Sequence, residues 1–187
     1  IRDVLGSRGL GDVYKRQELD RLQKLYELDA QYTDYDKTGA RVISKDTGNW
    51  FDVFYIDKGT DDGLSIGCNV LYGNGLCGII TEIGADYAKV RSIIDDTTNV
   101  NATILPAQAI CNVSGSLTNY ADGYLLAENI DKDADISEGD QVVTSHVSSK
   151  YLSGINIGYI AKIENDSNNL TKTAYITCLL YTSDAAD

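Results

Sequence analysis

Residues 56–80 read IDKGTDDGLSIGCNVLYGNGLCGII, and this stretch decides the fold. It spells a strand, a glycine-punctuated turn, a second strand, a tight Asn74-Gly75 turn and a third strand. The same grammar returns at residues 136–163, ISEGDQVVTSHVSSKYLSGINIGYIAKI. In each copy a turn glycine, Gly67 or Gly139, leads into a short apolar run around Val70 or Val142 and Val143. A second glycine step follows, Gly75 to Gly78 or Gly154 to Gly158, and opens a β-branched strand. Two copies of one pattern in one chain predict two small β modules in tandem.

Outward from the first copy, residues 40–44 and 50–56 read as strands, and Trp50, Phe51, Phe54 and Tyr55 are expected to fill the first core. Residues 87–94 and 100–105 continue the pattern, with Val100, Ala102 and Ile104 on one face of the latter. Pro106 sits just beyond it, where it interrupts no central ladder. In the second half, residues 109–116, 123–127 and 172–177 read as strands and residues 131–139 as a polar turn. Ile155, Ile157, Tyr159 and Ile163 are expected on one face of the strand after Gly154. Upstream, residues 18–35 place Leu22, Leu25, Leu28, Tyr32 and Tyr35 on one stripe, the pattern of an amphipathic helix or the end of a coiled coil. Gly39 is its natural stop. The fold class is therefore mainly β: an N-terminal helix over 18–38, a first β-barrel over 40–108 and a second over 109–177.

The two ends stand apart. Residues 1–17, IRDVLGSRGLGDVYKRQ, back-translate onto a transposase-tagging sequencing adaptor, and CLLYTSDAAD, residues 178–187, onto the same element in reverse complement. Both are expected to be non-native and to carry no fold information.

The chain has 187 residues, 43% of them hydrophobic, and a net charge of −12. Such a charge repels phosphate backbones and argues against nucleic acid as a partner. Cys68, Cys77 and Cys111 lack a CxxC spacing, so they give neither a zinc framework nor an even disulfide set. A Cys68–Cys77 bridge across a hairpin competes with buried free thiols. No apolar run approaches the roughly 20 residues that span a bilayer.

Catalysis has little to stand on. The one histidine, His146, follows Ser145, and neighbours in a strand point to opposite faces, so the two cannot form a dyad. No G-x-S-x-G elbow is present. Asp131, Asp133 and Asp135 match the first ligands of a calcium loop, but Ile136 stands where the turn glycine belongs and Val142 where the closing glutamate belongs. Asp34 and Asp36 fail in the same way. Gly73-Asn74-Gly75 has neither a lysine nor a following helix, so it is a hairpin turn and not a phosphate cradle. No cofactor and no metal are expected. A chain of tandem β modules without a catalytic constellation reads as an interaction protein.

Several pieces taken in order resemble the MreC family of bacterial rod shape-determining proteins, across most of residues 18–177. They are Ala40-Arg41-Val42-Ile43, Asn49-Trp50, Ile56-Asp57-Lys58-Gly59 with Asp62-Gly63, Gly75-Leu76-Cys77-Gly78, Lys89-Val90 and Asp95. Gly139-Asp140, Val143-Thr144-Ser145, Gly154-Ile155 and Ile157-Gly158 complete the set. His146 and Leu152 depart from it, standing where the family has Gly and Pro. The resemblance implies a non-enzymatic scaffold of the wall-elongation machinery, with two barrels that look like those of chymotrypsin-like proteases without a triad. It implies a dimeric coiled coil through Leu22, Leu25, Leu28 and Tyr32, and a membrane anchor N-terminal to it, with the barrels on the extracytoplasmic side of the bacterial membrane. The implied partners are MreB, MreD, RodA and a transpeptidase penicillin-binding protein, bound and activated to maintain rod shape. The expected contact surface lies in two polar loops, through Gly59, Asp62 and Gly63 and through Ser145, His146, Tyr151 and Gly154. A secreted β module binding wall glycan directly, or a degenerate trypsin-like hydrolase, are the alternatives.

Overall fold

Gly67 and Gly139 both adopt φ of +93°, a left-handed conformation that glycine reaches without strain, and each turns the chain into a hairpin of the same register. The Gly67 N–H donates to the carbonyl of Ile80 and the Gly139 N–H to that of Ile160. Returning bonds run from the Ile80 N–H to Cys68 O and from the Ile160 N–H to Asp140 O. The repeat seen in the sequence is thus a repeat of hydrogen bonding. The computed structural model describes residues 19, 26, 30, 32–33, 35–45, 53–116, 123–147, 149–165 and 170–178. Residues 40–187 form one compact unit, separate from residues 1–39.

The first module contains β1 (Val42–Lys45), β2 (Val53–Ile56), a 3-10 turn at Thr60–Asp62, β3 (Asn69–Tyr72), β4 (Gly75–Ile83) and β5 (Ala88–Ser92). Its strands pair in the order β1-β2-β5-β4-β3, all antiparallel. Ile56, Ile80, Ala88 and Val90 form its core, with Phe54, Leu64, Cys68, Val70 and Ile83 packed around them. Phe54 meets the aromatic expectation in part; Tyr55 instead leans on the Tyr87 ring, 6.4 Å between centroids. Trp50 and Phe51 lie outside the described residues, as does most of the expected helix.

The second module contains β6 (Asn99–Leu105), β7 (Ala109–Ser114), β8 (Tyr124–Asp131), β9 (Gln141–Thr144), β10 (Asn156–Asn165) and β11 (Thr171–Cys178). These six strands close on themselves: β6-β7-β8-β11-β10-β9 and back to β6. Val100, Ala102, Ile104, Cys111, Val113, Leu125 and Ala127 are buried at alternate positions, as the filled interior of a small barrel requires. The closed ring also corrects the expected boundary at residue 108. That cut would split the β6–β7 hairpin, because β6 bonds to β7 and β9 and not to any strand of the first module. Partners change between β5 and β6. The crossing is buried: Ser92, Ile93, Ile94 and Thr98 are at most 3% exposed, and the Thr98 Oγ1 hydroxyl donates to Ser92 O at 2.9 Å. The boundary drawn at 177 falls inside β11, whose last residue, Cys178, is buried.

One face assignment is also corrected. Ile155 and Ile157 are buried, but Tyr159 is exposed and Ile160 buried. The β9–β10 register shifts between Asn156 and Gly158, and one extra residue reverses the alternation beyond it.

Candidate functional site

The first polar loop is a capped turn held against the β4–β5 connection. The Gly59 N–H donates to Asp62 Oδ2 at 3.2 Å, and Lys58 Nζ lies 2.6 Å from Asp62 Oδ1. The Lys58 hydrogen bond and that from the Gly59 backbone hold the Asp62 carboxyl below the usual aspartate range, and the Asp62 hydrogen bond and charge raise Lys58. The Thr60 and Asp61 N–H groups donate to the carbonyls of Gly84 and Ala85, both at 3.0 Å. Those carbonyls stand 2.5 and 2.3 Å from where a Cβ on Gly59 would be, so only glycine fits there. Gly63 ends the turn at φ +82°.

The second loop leaves the ring after β9. Thr144 organises it: its hydroxyl donates to Leu152 O and accepts the Ile155 N–H at 2.8 Å, while its carbonyl accepts the Gly154 N–H at 2.9 Å. The Ser145 N–H donates to Asn101 O, and Ser145 Oγ accepts the Val147 N–H at 3.3 Å. Tyr151 is buried, which raises its phenol pKa against the opposing effect of Arg91 on β5. Lys150 Nζ lies 5.4 Å from the Tyr151 ring centroid.

The two loops, expected separately, meet through Asn69. Its Nδ2 donates to Gly67 O at 3.2 Å and to Lys150 O at 3.3 Å, and its Oδ1 accepts the Leu152 N–H at 2.7 Å. One side chain at the start of β3 therefore ties both modules together, beside a parallel bridge between Gly75 on β4 and Asn156 on β10. Of the residues expected at the surface, Asp62, Gly63, His146 and Gly154 are exposed. Gly59, Ser145 and Tyr151 are buried: they shape the loops from within and offer little area to a partner. Sequence reading missed Asn69, and it missed the exposed apolar side chains Ile66, Val147 and Leu152 on the same loops. The last three are isolated apolar residues among Gly, Ser and charged neighbours, off any strand period, and that is the signal they carry.

Tyr32 is buried, and Leu22, Leu25 and Leu28 lie outside the described residues. The chemistry weighed at sequence level finds these placements. Ser145 is buried with its Oγ engaged by Val147, while His146 is exposed, so the adjacent pair diverges. Asp131 Oδ1 accepts the Asp133 N–H at 2.9 Å, closing a local turn. Among the described residues no group of three His, Cys, Asp or Glu is placed to hold a metal ion. Cys68, Cys77 and Cys111 are free thiols; burial pushes Cys77 and Cys111 up to about 12. Among the described residues no helix is long and apolar enough to cross a membrane.

Comparison with known proteins gives this architecture relatives. Residues 42–185 match the family profile described as rod shape-determining protein MreC, barrel core. The cell shape-determining protein MreC of Listeria monocytogenes is 32% identical over 163 residues, covering 86% of this chain and 55% of that protein. The Haemophilus influenzae protein of the same name is 27% identical, covering 81% and 42%. The chain thus spans about half the length of the curated relatives it matches. A solved structure of MreC from Listeria monocytogenes superposes with a TM-score of 0.71 at 30% identity, covering 94% of this chain and 88% of that one. A complex between penicillin-binding protein PBP2 and MreC from Helicobacter pylori shares the fold at a TM-score of 0.60 and 17% identity, covering 74% and 84%. With three quarters of its length under one family profile and the barrel core in common, the chain belongs to the MreC family of cell shape-determining proteins.

Proposed function

We propose that this chain is the extracytoplasmic part of a non-enzymatic scaffold of bacterial wall elongation. It dimerises through the stripe Leu22, Leu25, Leu28 and Tyr32, is anchored to the membrane on the N-terminal side, and binds and activates a transpeptidase penicillin-binding protein. MreB, MreD and RodA complete the assembly that maintains the rod. The observation that carries this reading is the tie between the two modules at Asn69, joined to family membership. A scaffold that biases the state of an enzyme must hold its contact surfaces in fixed relation, and two modules locked through a buried crossing and a shared side chain do so. The Helicobacter pylori protein of the same fold, solved in complex with PBP2, supplies the precedent for the partner class.

The test is functional replacement. The chain is fused behind a membrane-spanning helix and expressed in a rod-shaped bacterium depleted of its own MreC. Restored rods are expected; spherical cells with the fusion stably present would overturn the scaffold reading. In parallel, size-exclusion chromatography with the extracytoplasmic part of a transpeptidase penicillin-binding protein should give a joint peak. Retention on purified peptidoglycan without any protein partner would instead favour the glycan-binding alternative. Turnover of a peptide panel that His146→Ala abolishes would favour the hydrolase.

A further inference from the structure

Ile79 follows the core residue Ile80 in alternation on β4, so it points away from the first module's core, yet it is only 4% exposed. It stands opposite Asn69 on β3 and Arg91 on β5, which sets the three side chains in one row on the module's outer face. The loop after β9 crosses that row. Asn69 bonds the backbone of Lys150 and of Leu152, the residues on either side of Tyr151, and Arg91 lies close enough for its charge to act on the Tyr151 phenol. Among the described residues of 146–154 only Tyr151 is buried, at 3% exposure, and all the others are exposed. Its hydroxyl is buried with the ring and has no hydrogen-bond partner. The base of the loop is fastened separately, within its own module: the Ser145 N–H donates to Asn101 O, the Gly154 N–H to Thr144 O, and the Thr144 hydroxyl to Leu152 O.

We propose that residues 146–153 form a releasable strap that the second module lays over the outer face of the first, with Tyr151 as its buried anchor and Asn69 as its clasp. The strap opens and recloses while the closed ring and the buried crossing at residues 92–98 stay intact. Opening breaks two hydrogen bonds to one side chain and exposes one ring; the bonds at the base remain. The phenol keeps the latch light. A phenyl ring would bury the same apolar area with no oxygen to desolvate, whereas the Tyr151 hydroxyl leaves water on closing and gains no partner. Opening returns it to water, so tyrosine at this place raises the open population over what phenylalanine would allow. The two joins between the modules are therefore unequal: the crossing is permanent and the strap is not. Val147 and Leu152, both exposed, ride on the strap, so a protein that grips them acts on the releasable join. The inference stands on the geometry of this loop and is independent of the scaffold reading.

The experiment is hydrogen exchange on the full chain. It is read at Leu152, whose N–H is held by Asn69 Oδ1, and at Ile80, whose N–H is held by Cys68 O inside the first module. Leu152 should be the less protected of the two. Low concentrations of guanidinium chloride should leave its exchange flat while that of Ile80 quickens, the mark of a local opening that exposes little surface. Tyr151→Phe should slow exchange at Leu152 by about tenfold, the scale set by one hydroxyl desolvated without a partner. Tyr151→Ala, with no ring to bury, should speed it by about tenfold or more. Leu152 protected to the same degree as Ile80, with the same denaturant dependence, means that the loop opens only when the protein unfolds and overturns the proposal. Unchanged or faster exchange at Leu152 in Tyr151→Phe overturns it as well. If circular dichroism shows Tyr151→Ala unfolded, the comparison of the parent with Tyr151→Phe still decides. Restored rods in the replacement test bear on the scaffold reading alone, and exchange at Leu152 bears on the strap alone.

Discussion

Gly158→Ala should be among the most damaging single-atom additions to this chain, and the structure says why. Gly158 sits in β10 between β9 and β11, opposite Val142 and Cys178. A Cβ there would lie 2.1 Å from the Thr177 carbonyl oxygen and 2.7 Å from Ile176 Cγ2. The first distance is about 1.3 Å short of ordinary van der Waals contact at 3.4 Å, and the nearest atom is backbone that cannot rotate away. The strands must part inside a closed ring. Overpacking of this kind costs about 1–3 kcal/mol. Loosening one or two ladder hydrogen bonds adds about 1 kcal/mol each. The stiffer unfolded chain offsets about 0.5–1 kcal/mol, leaving a net loss of about 1–4.5 kcal/mol. Two controls separate crowding from other effects. Gly154→Ala meets no atom within 4 Å but sits at φ +82°, so it should lose only about 1 kcal/mol through backbone strain. Gly39→Ala meets neither obstacle and should be neutral or slightly stabilising. Guanidinium chloride unfolding followed by far-ultraviolet circular dichroism measures all three. A Gly158→Ala midpoint indistinguishable from the parent, or no lower than that of Gly154→Ala, would refute the reasoning. Because the modules repeat, Gly78→Ala, whose Cβ would lie 2.2 Å from Arg91 O, should behave like Gly158→Ala.

Asn69→Ala removes the bonds to Lys150 O and Leu152 N–H and should destabilise by about 1–2 kcal/mol, with faster hydrogen exchange at residues 149–154 as the specific sign. Cys77 and Cys111 should resist a thiol reagent at pH 8 in the folded protein, while half-buried Cys68 reacts; labelling with mass spectrometry reads this directly. Because the folded thiols are raised to about 12, their contribution to stability is intact below the ordinary thiol range near 9 and is lost as pH climbs from there towards 12. The opposite sign holds at Asp62. Its depressed carboxyl contributes stability above the ordinary aspartate range, lost as pH falls through its folded value, and Asp62→Asn should flatten that part of the acid-unfolding curve.

How far the sequence could be read depended on the kind of signal. Turn glycines and alternation are local, and they placed the hairpins, β6 with its buried Val100, Ala102 and Ile104, and the twofold repeat. What they could not place was anything decided across the ladder. A bulge is one residue of register against a partner strand, so Tyr159 faces outward and Ile160 inward although strict alternation says the reverse. The module boundary is likewise a pairing choice: β6 is followed by Pro106 and a turn, which looks like an ending, yet its partners are β7 and β9. The polar loops were legible as loops. That Asn69 joins them was not, because its partners at Lys150 and Leu152 lie more than 80 residues away and no local pattern marks a side chain that bridges such a distance.

The closed ring also imposes an order on synthesis. Every strand of the first module has left the ribosome once Ser92 has emerged. The second cannot close before β11, since β8 and β10 both pair with it, and β11 ends at Cys178. At ordinary translation rates that interval is roughly 4 to 17 seconds. Through it the newborn first module waits without the Lys150 and Leu152 backbone groups that Asn69 will hold. Among the described strands β11 is thus the one whose arrival completes the ring, and a ribosome stalled within residues 93–170 would strand a half-built second module whose unpaired edges invite pairing with its neighbours.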